Sequence, residues 1–145
     1  MSHQHIEINM PFHCSPDALF QQLTDHAHFG KIVNANIERI VDSKSANRNG
    51  LGSIRKITLL PGISFEETVT SFEAPTLMEY QVTRGSPVKE HWGRLEFKPC
   101  ELGCRLVYTI DFSAKIPGTG WLLKPLIEGP IRRGLARLQT TLQDA

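Results

Sequence analysis

The chain has 145 residues, 40% of them hydrophobic and 21% charged, and its 16 Lys and Arg against 15 Asp and Glu leave a formal charge of +1. That is one ordinary domain, able to bury about 68% of the surface its unfolded chain exposes. The even charge balance carries no footprint for nucleic acid or for an anionic membrane surface, and no apolar run reaches the ~18 residues that would span a bilayer.

The first residues, MSHQHIEINM, lack the positive start and continuous apolar run of a secretory signal; a cytoplasmic protein that opens on a strand, HIEINM, is expected. Cys14-Ser15-Pro16-Asp17 then supplies an N-cap serine, a proline at the first helical position and an acid in the first turn, so a helix through Leu23 follows. A second short helix, roughly Asp25 to Ile32, starts from the capping candidates Thr24 and Asp25. From Ile37 to Ala114, β-branched and aromatic residues alternate with polar ones between turn signals. The pattern predicts antiparallel strands at about 36–43, 51–60, 63–73, 77–84, 89–98 and 103–114, separated by SANRNG, PG, EAPT, GSP and ELG. Beyond Pro117-Gly118, Leu122, Leu126, Ile127, Ile131, Leu135, Leu138 and Leu142 recur at helical spacing, predicting a helix over about 118–143 with a kink or brief break at Gly129-Pro130.

No repeat or linker divides the chain, and 1–145 reads as a single α+β domain: a curved antiparallel sheet in the order β-α-α-β6-α, wrapped around the long C-terminal helix. One helix covers only part of a concave sheet, so a hollow between them is the candidate site for a small apolar ligand. Three cysteines, Cys14, Cys100 and Cys104, lack zinc spacing; free thiols are expected, although Cys100 and Cys104 could oxidise across their turn.

The element order, with Ser15-Pro16-Asp17-Ala18-Leu19-Phe20 opening the first helix, Gly52-Ser53-Ile54-Arg55, Glu67-Thr68-Val69 through Pro75, and Leu102-Gly103-Cys104-Arg105-Leu106 opening the last strand, resembles the START-like, or SRPBCC, superfamily over nearly the whole chain. Within it the chain is most similar to the polyketide cyclase/dehydrase-like branch, whose neighbours include lipid-transfer START domains, pollen allergens and abscisic-acid receptors. The resemblance implies the helix-grip fold more firmly than an activity, since this fold hosts binders, carriers and cyclases.

Period-two alternation gives the strands their faces. Leu95 and Phe97 inward carry Gly93 and His91 with them, leaving Trp92, Arg94 and Glu96 outside. Leu106, Tyr108, Ile110 and Phe112 on the last strand, and Met78, Tyr80 and Val82 on the fifth, face the helix by the same rule, with Arg105 outside. Arg55, aligned with Ile57 and Leu59, and Glu67, aligned with Phe65 and Val69, resemble pocket positions of the plant-hormone receptors and are expected to converge with His91. His91 is placed within one hydrogen bond, or one bridging water, of Arg55, Glu67 or Tyr80. The ligand-binding candidates are therefore Arg55, Glu67, Tyr80, His91, Phe97, Tyr108 and Phe112, and the catalytic candidates are His91 and Glu67. A lone histidine on an apolar face is more often a hydrogen-bonded core residue, and Arg55 with Glu67 also fits a buried ion pair.

Other features read more plainly. His26 with His28, and His3 with His5, stand at i, i+2, a poor metal clamp on a helix, and neither a metal nor a cofactor is expected. Trp121, Leu122 and Leu123 read first as the end of the core, then as a lid or a partner surface; Arg132, Arg133 and Arg137 read as solvated. The leading function is binding of an aromatic, polyketide-like or lipid-like small molecule, with cyclase or dehydrase activity as its enzymatic version, in a monomer or homodimer that neither binds nucleic acid nor inserts into a membrane. The competing class is an interaction module, like the toxin, co-chaperone or quinone-chaperoning members of the fold. A hollow above a few hundred cubic ångströms favours the first, and one filled by side chains favours the second.

Overall fold

The computed structural model describes residues 3–85 and 87–143. Its elements follow the chain as β1 (His3–Phe12), α1 (Pro16–Thr24), α2 (His26–Val33), β2 (Asn36–Val41), β3 (Ile54–Leu60), β4 (Ile63–Glu73), β5 (Leu77–Arg84), β6 (Val88–Cys100), β7 (Gly103–Ala114) and α3 (Gly120–Gln143). The strands form one curved antiparallel sheet in the order β1-β7-β6-β5-β4-β3-β2, in which β1 crosses over to pair with the last strand. The ends of the expected domain, residues 1, 2, 144 and 145, lie outside the described residues, as does Ser86 in the GSP turn.

The short helices are set by their caps. Ser15 Oγ accepts from the Ala18 amide at 3.1 Å, and Pro16 costs nothing at a position whose amide has no helical partner. Of the two candidates for the second cap, Asp25 accepts from the His28 amide at 3.1 Å, while Thr24 Oγ1 donates back to Phe20 O and closes α1. Asn34, in the left-handed region at φ 56°, ends α2.

Helix α3 runs unbroken through Pro125 and Pro130, so of the kink or brief break expected at Gly129-Pro130 the break does not occur. Proline removes one amide bond, and the packing of the second half carries the helix through it. Gly134 lets α3 approach α2, since a Cβ there would lie 2.3 Å from Ile32 O. Arg132 and Arg137, expected in solvent, donate to the carbonyls of Glu7 (2.9 Å) and Ile32 (3.1 Å), and Gln139 donates to Pro11 O. Exposed helix residues reach carbonyls on the edge strand β1 and in the last turn of α2, and the spacing of the arginines does not announce it.

The inward faces are those the alternation predicts. Tyr80, Leu95, Phe97, Tyr108, Ile110 and Phe112 are all buried, whereas Trp92, Arg94, Glu96 and Arg105 are half-buried on the other side. The side chain of Leu59, expected inward, lies outside the described residues. His3 and His5 sit on a strand rather than a helix, where i, i+2 shares a face, and both reach Asp111 Oδ1, at 3.0 and 2.9 Å. Among the described residues no group of three or more His, Cys, Asp or Glu is arranged to hold a metal ion, and all three cysteines are free.

Candidate ligand-binding site

The first half of α3, together with α2, roofs the part of the sheet that runs from β3 to β7. The hollow beneath has a volume of about 100 Å³. Phe29 and Val33, one turn apart on α2, and Leu123, Ile127 and Ile131 on α3 form its helical walls; Ile57, Phe65, Val82, Val88 and Ile110 form much of the sheet side. Arg55, Glu67, Tyr80, His91 and Tyr108 are the polar residues among them. Phe97 and Phe112, expected in this wall, line a different part of the face. Phe97 packs edge-on against Phe20 of α1, ring centroids 5.1 Å apart, and Phe112 is wholly buried in the apolar core. Alternation fixes which face a side chain takes; it does not say which helix covers that stretch of the strand.

Arg55 and Glu67 are direct cross-strand partners on β3 and β4. Glu67 Oε1 accepts from both Nε and Nη2 of Arg55 at 2.8 Å. The guanidinium carbon lies 4.5 Å from the Tyr80 ring centre and 5.4 Å from that of Phe29, so cation–π contacts add to the pair. Burial would depress the Arg55 pKa, but the charge of Glu67, with Tyr80 and Tyr108 behind it, outweighs that and raises it. One donor atom remains: Arg55 Nη1, an NH2 group, is buried and has no hydrogen-bond partner among the described residues; burial raises the Tyr108 phenol, and the guanidinium lies close enough to its hydroxyl to work against that.

Tyr80 reaches the hollow because Gly93 lies opposite it, where a Cβ would fall 2.4 Å from the tyrosine Cζ. Its hydroxyl meets that of Tyr108 at 2.5 Å. Burial raises both phenols, Tyr80 well above its ordinary value and Tyr108 to about 12, so both are neutral hydrogen-bonding groups at neutral pH.

His91 is aimed by a bulge. The register of β6 against β7 shifts between Lys89 and Trp92, and Glu90 takes a left-handed φ of 52°. The pairing of β5 with β6 ends at Tyr80 and Gly93, and just beyond it the Val82 amide donates to His91 Nδ1 at 3.2 Å. Of the two contacts expected, a direct bond to Arg55, Glu67 or Tyr80 does not form: Nε2 stands 4.0 Å from Glu67 Oε2, beyond direct hydrogen-bond reach though close enough to be a neighbour, and the Tyr80 ring lies 5.6 Å away. An irregularity in the ladder supplied the imidazole with a backbone partner that no side-chain pattern foretells. Burial lowers the His91 pKa, so the ring is neutral, and because Nδ1 accepts, its proton is on Nε2.

Two placements were missed from sequence. His26, read as one of an ordinary pair, is wholly buried, bonded through Nε2 to Ser53 Oγ at 2.9 Å, and pushed by burial down to about 2. Trp121 and Leu122, read first as core, are 68% and 48% exposed, and only Leu123 of that cluster enters the hollow.

A protein family described as polyketide cyclase/dehydrase and lipid transport matches residues 3–143. The chain belongs to that family, within the START/SRPBCC superfamily. No curated protein matches it. Among solved structures, norcoclaurine synthase from Thalictrum flavum, in complex with dopamine and hydroxybenzaldehyde, superposes with a TM-score of 0.69 at 17% identity, over 97% of this chain and 86% of that one. XoxI from Bacillus cereus gives 0.70 at 14% identity, covering 99% and 97% of the two chains. The protein Ara h 8.0201 gives 0.65 at 16% identity, covering 95% and 99%. At such identities the likeness establishes the helix-grip fold. Hydrophobic ligand binding is what family and fold together suggest for this member.

Proposed function

We propose that the protein binds a small, largely apolar molecule, of the size of one substituted aromatic ring, that carries a single hydrogen-bond acceptor such as a carbonyl oxygen. The observation that carries this reading is the unpartnered, buried Nη1 of Arg55 on the wall of an otherwise apolar hollow. Leaving such a donor unmade costs about 1–3 kcal/mol, and a ligand oxygen would recover it. The volume sets the size. Sites for drug-sized ligands hold roughly 300–1,000 Å³, whereas an apolar cavity of about 150 Å³ accepts benzene. The hollow, at about 100 Å³, is not filled by side chains, but it falls short of the few hundred cubic ångströms that would favour binding outright and of the benzene cavity, so a single substituted ring is its upper limit and enters only with some movement of α3.

Binding is favoured over acid–base catalysis by the state of the two candidates. His91 presents an N–H rather than a lone pair, and Glu67 Oε1 already accepts two N–H groups from Arg55. A cytoplasmic location and a monomeric or dimeric state fit this role. The test is a titration with acetophenone followed by NMR of the arginine side chains and tyrosine rings. Signals of Arg55, Tyr80 and Tyr108 should move together and saturate; shifts confined to exposed residues, or none, would contradict the reading.

A further inference from the structure

The first half of α3 is apolar on the side that faces the hollow and on the side that faces away. Leu123, Ile127 and Ile131 point into the protein, while at 3.6 residues per turn Pro125 and Leu122 lie opposite them and Trp121 and Leu126 lie on the two flanks. These outer residues are uncovered: Trp121 is 68% exposed, Leu126 58% and Leu122 48%, with Ile116 on the preceding loop at 66%. A helix apolar all round belongs in an apolar environment on both sides, and the fold supplies only one. Leu126 is both an exposed member of this patch and a lining residue of the hollow, so the apolar surface is continuous from outside to inside. Across the hollow, the β3–β4 hairpin continues past the lining residues Ile57 and Phe65 into exposed Leu60 and Ile63.

The charges around the patch are mostly positive, with Glu90 and the Arg132-paired Glu128 as the nearby acids. Residues 112–127 contain Lys115 and Lys124 and no acid. Lys115 is tied beside the β5–β6 turn by its amide bond to Pro87 O, and that turn brings Arg84 and Lys89, with Glu90 the acid next to them. We infer that this patch is a docking site for the surface of an anionic phospholipid bilayer, on which Trp121, Leu122, Leu126 and Ile116 enter the headgroup boundary and place the mouth of the hollow against the lipid. An exposed tryptophan beside aliphatic residues with lysines at the rim is the chemistry such a surface selects. The protein lies on the bilayer and does not span it: no helix among the described residues is long and apolar enough to cross. Pairing of two copies through the same patch would bring their lysines together with no acid in the segment to offset them, which disfavours a second copy as the occupant. The inference rests on the proposed binding function in one respect, that the mouth of the hollow is where the ligand enters.

The test uses the whole chain carrying Trp92→Phe, which leaves Trp121 as the remaining tryptophan, with vesicles of phosphatidylcholine alone or mixed in equal parts with phosphatidylglycerol. Trp121 emission should shift to the blue, and the protein should sediment with the mixed vesicles. Replacing Lys115 and Lys124 together by Gln should weaken partitioning about ten- to thirtyfold, the loss expected for two lysines at an anionic surface. In the chain that retains Trp92, Trp121→Glu with Leu122→Glu should abolish sedimentation while leaving acetophenone binding unchanged, because neither residue lines the hollow. Absence of vesicle binding, equal binding to both vesicle types, or a wild-type dimer that these substitutions dissociate would each overturn the docking site. Loss of acetophenone binding in the unmodified protein would instead overturn the ligand reading and leave the docking result standing.

Discussion

The two ends of the concave face are built from the same strands on the same alternation, yet they differ in what fills them. At one end, Phe20 of α1 packs edge-on against Phe72 and Phe97, both centroids 5.1 Å away, and the face is closed by aromatic rings. At the other, the side chains opposite α3 stop short of it, and the gap is edged by Arg55, Glu67, Tyr80, His91 and Tyr108. One end contributes stability through packing density; the other keeps a polar cluster that an apolar core would have been simpler without. Such a cluster beside an open space is the arrangement on which the proposed binding role rests.

That contrast can be broken by substitution at either end. Phe97→Ala should cost about 3–5 kcal/mol, since a large ring leaves a cavity that its neighbours only partly fill. Chemical denaturation measures this, and whatever folded protein remains should bind acetophenone as before. At the open end, Glu67→Leu should cost a similar amount, about 3–5 kcal/mol, because it strands the buried Arg55 charge. Pairing it with Arg55→Met should restore most of the stability and abolish the preference for carbonyl ligands. If the double variant stays as unstable as the single one, the pair is not what holds this end together.

Smaller changes sharpen the comparison. Gly93→Ala places a methyl where the Tyr80 ring lies and should cost about 1–3 kcal/mol while weakening ligand binding more than stability would suggest; an unchanged affinity would show that Tyr80 plays no part in the hollow. Acid should act through His26. In the unfolded chain this histidine takes up a proton near pH 6.5, but in the folded chain only near 2. Its contribution is therefore whole above about 6.5 and is lost as pH falls, by at most about 1.4 kcal/mol per pH unit. His91, lowered in the same direction, adds to the loss. His26→Asn should flatten the acid limb of the stability curve, and an unaltered limb would place its origin elsewhere.

Much of this was legible in the sequence because it depends on local rules. Ser15-Pro16-Asp17 fixes the start of α1, and the alternation through Leu95, Phe97, Tyr108 and Ile110 assigns a face to every residue it covers. Arg55 and Glu67 could be seen as a pair. What escaped depends on tertiary placement. Phe97 and Phe112 have the right face, but the path of α1 and α3 decides which part of that face is open. The partner of His91 is the amide of Val82, just beyond the end of the β5–β6 pairing and beside a β6–β7 bulge at a non-glycine residue, Glu90, and nothing in KEHWG signals it. Trp121, 68% exposed, escapes because an apolar residue type does not by itself separate a side chain that faces in from one that faces out. A net charge near zero likewise averages away a local, acid-free segment with two lysines.

The central claim is that the hollow recognises an acceptor atom through Arg55, and calorimetric titration of the wild-type protein with acetophenone and with ethylbenzene tests it without altering the fold. The two ligands are close in shape and differ in the carbonyl oxygen. A hydrogen bond to a charged donor is worth roughly 1.5–3 kcal/mol, so acetophenone should bind at least about tenfold more tightly. Equal affinities, or no binding of either compound, would contradict the account.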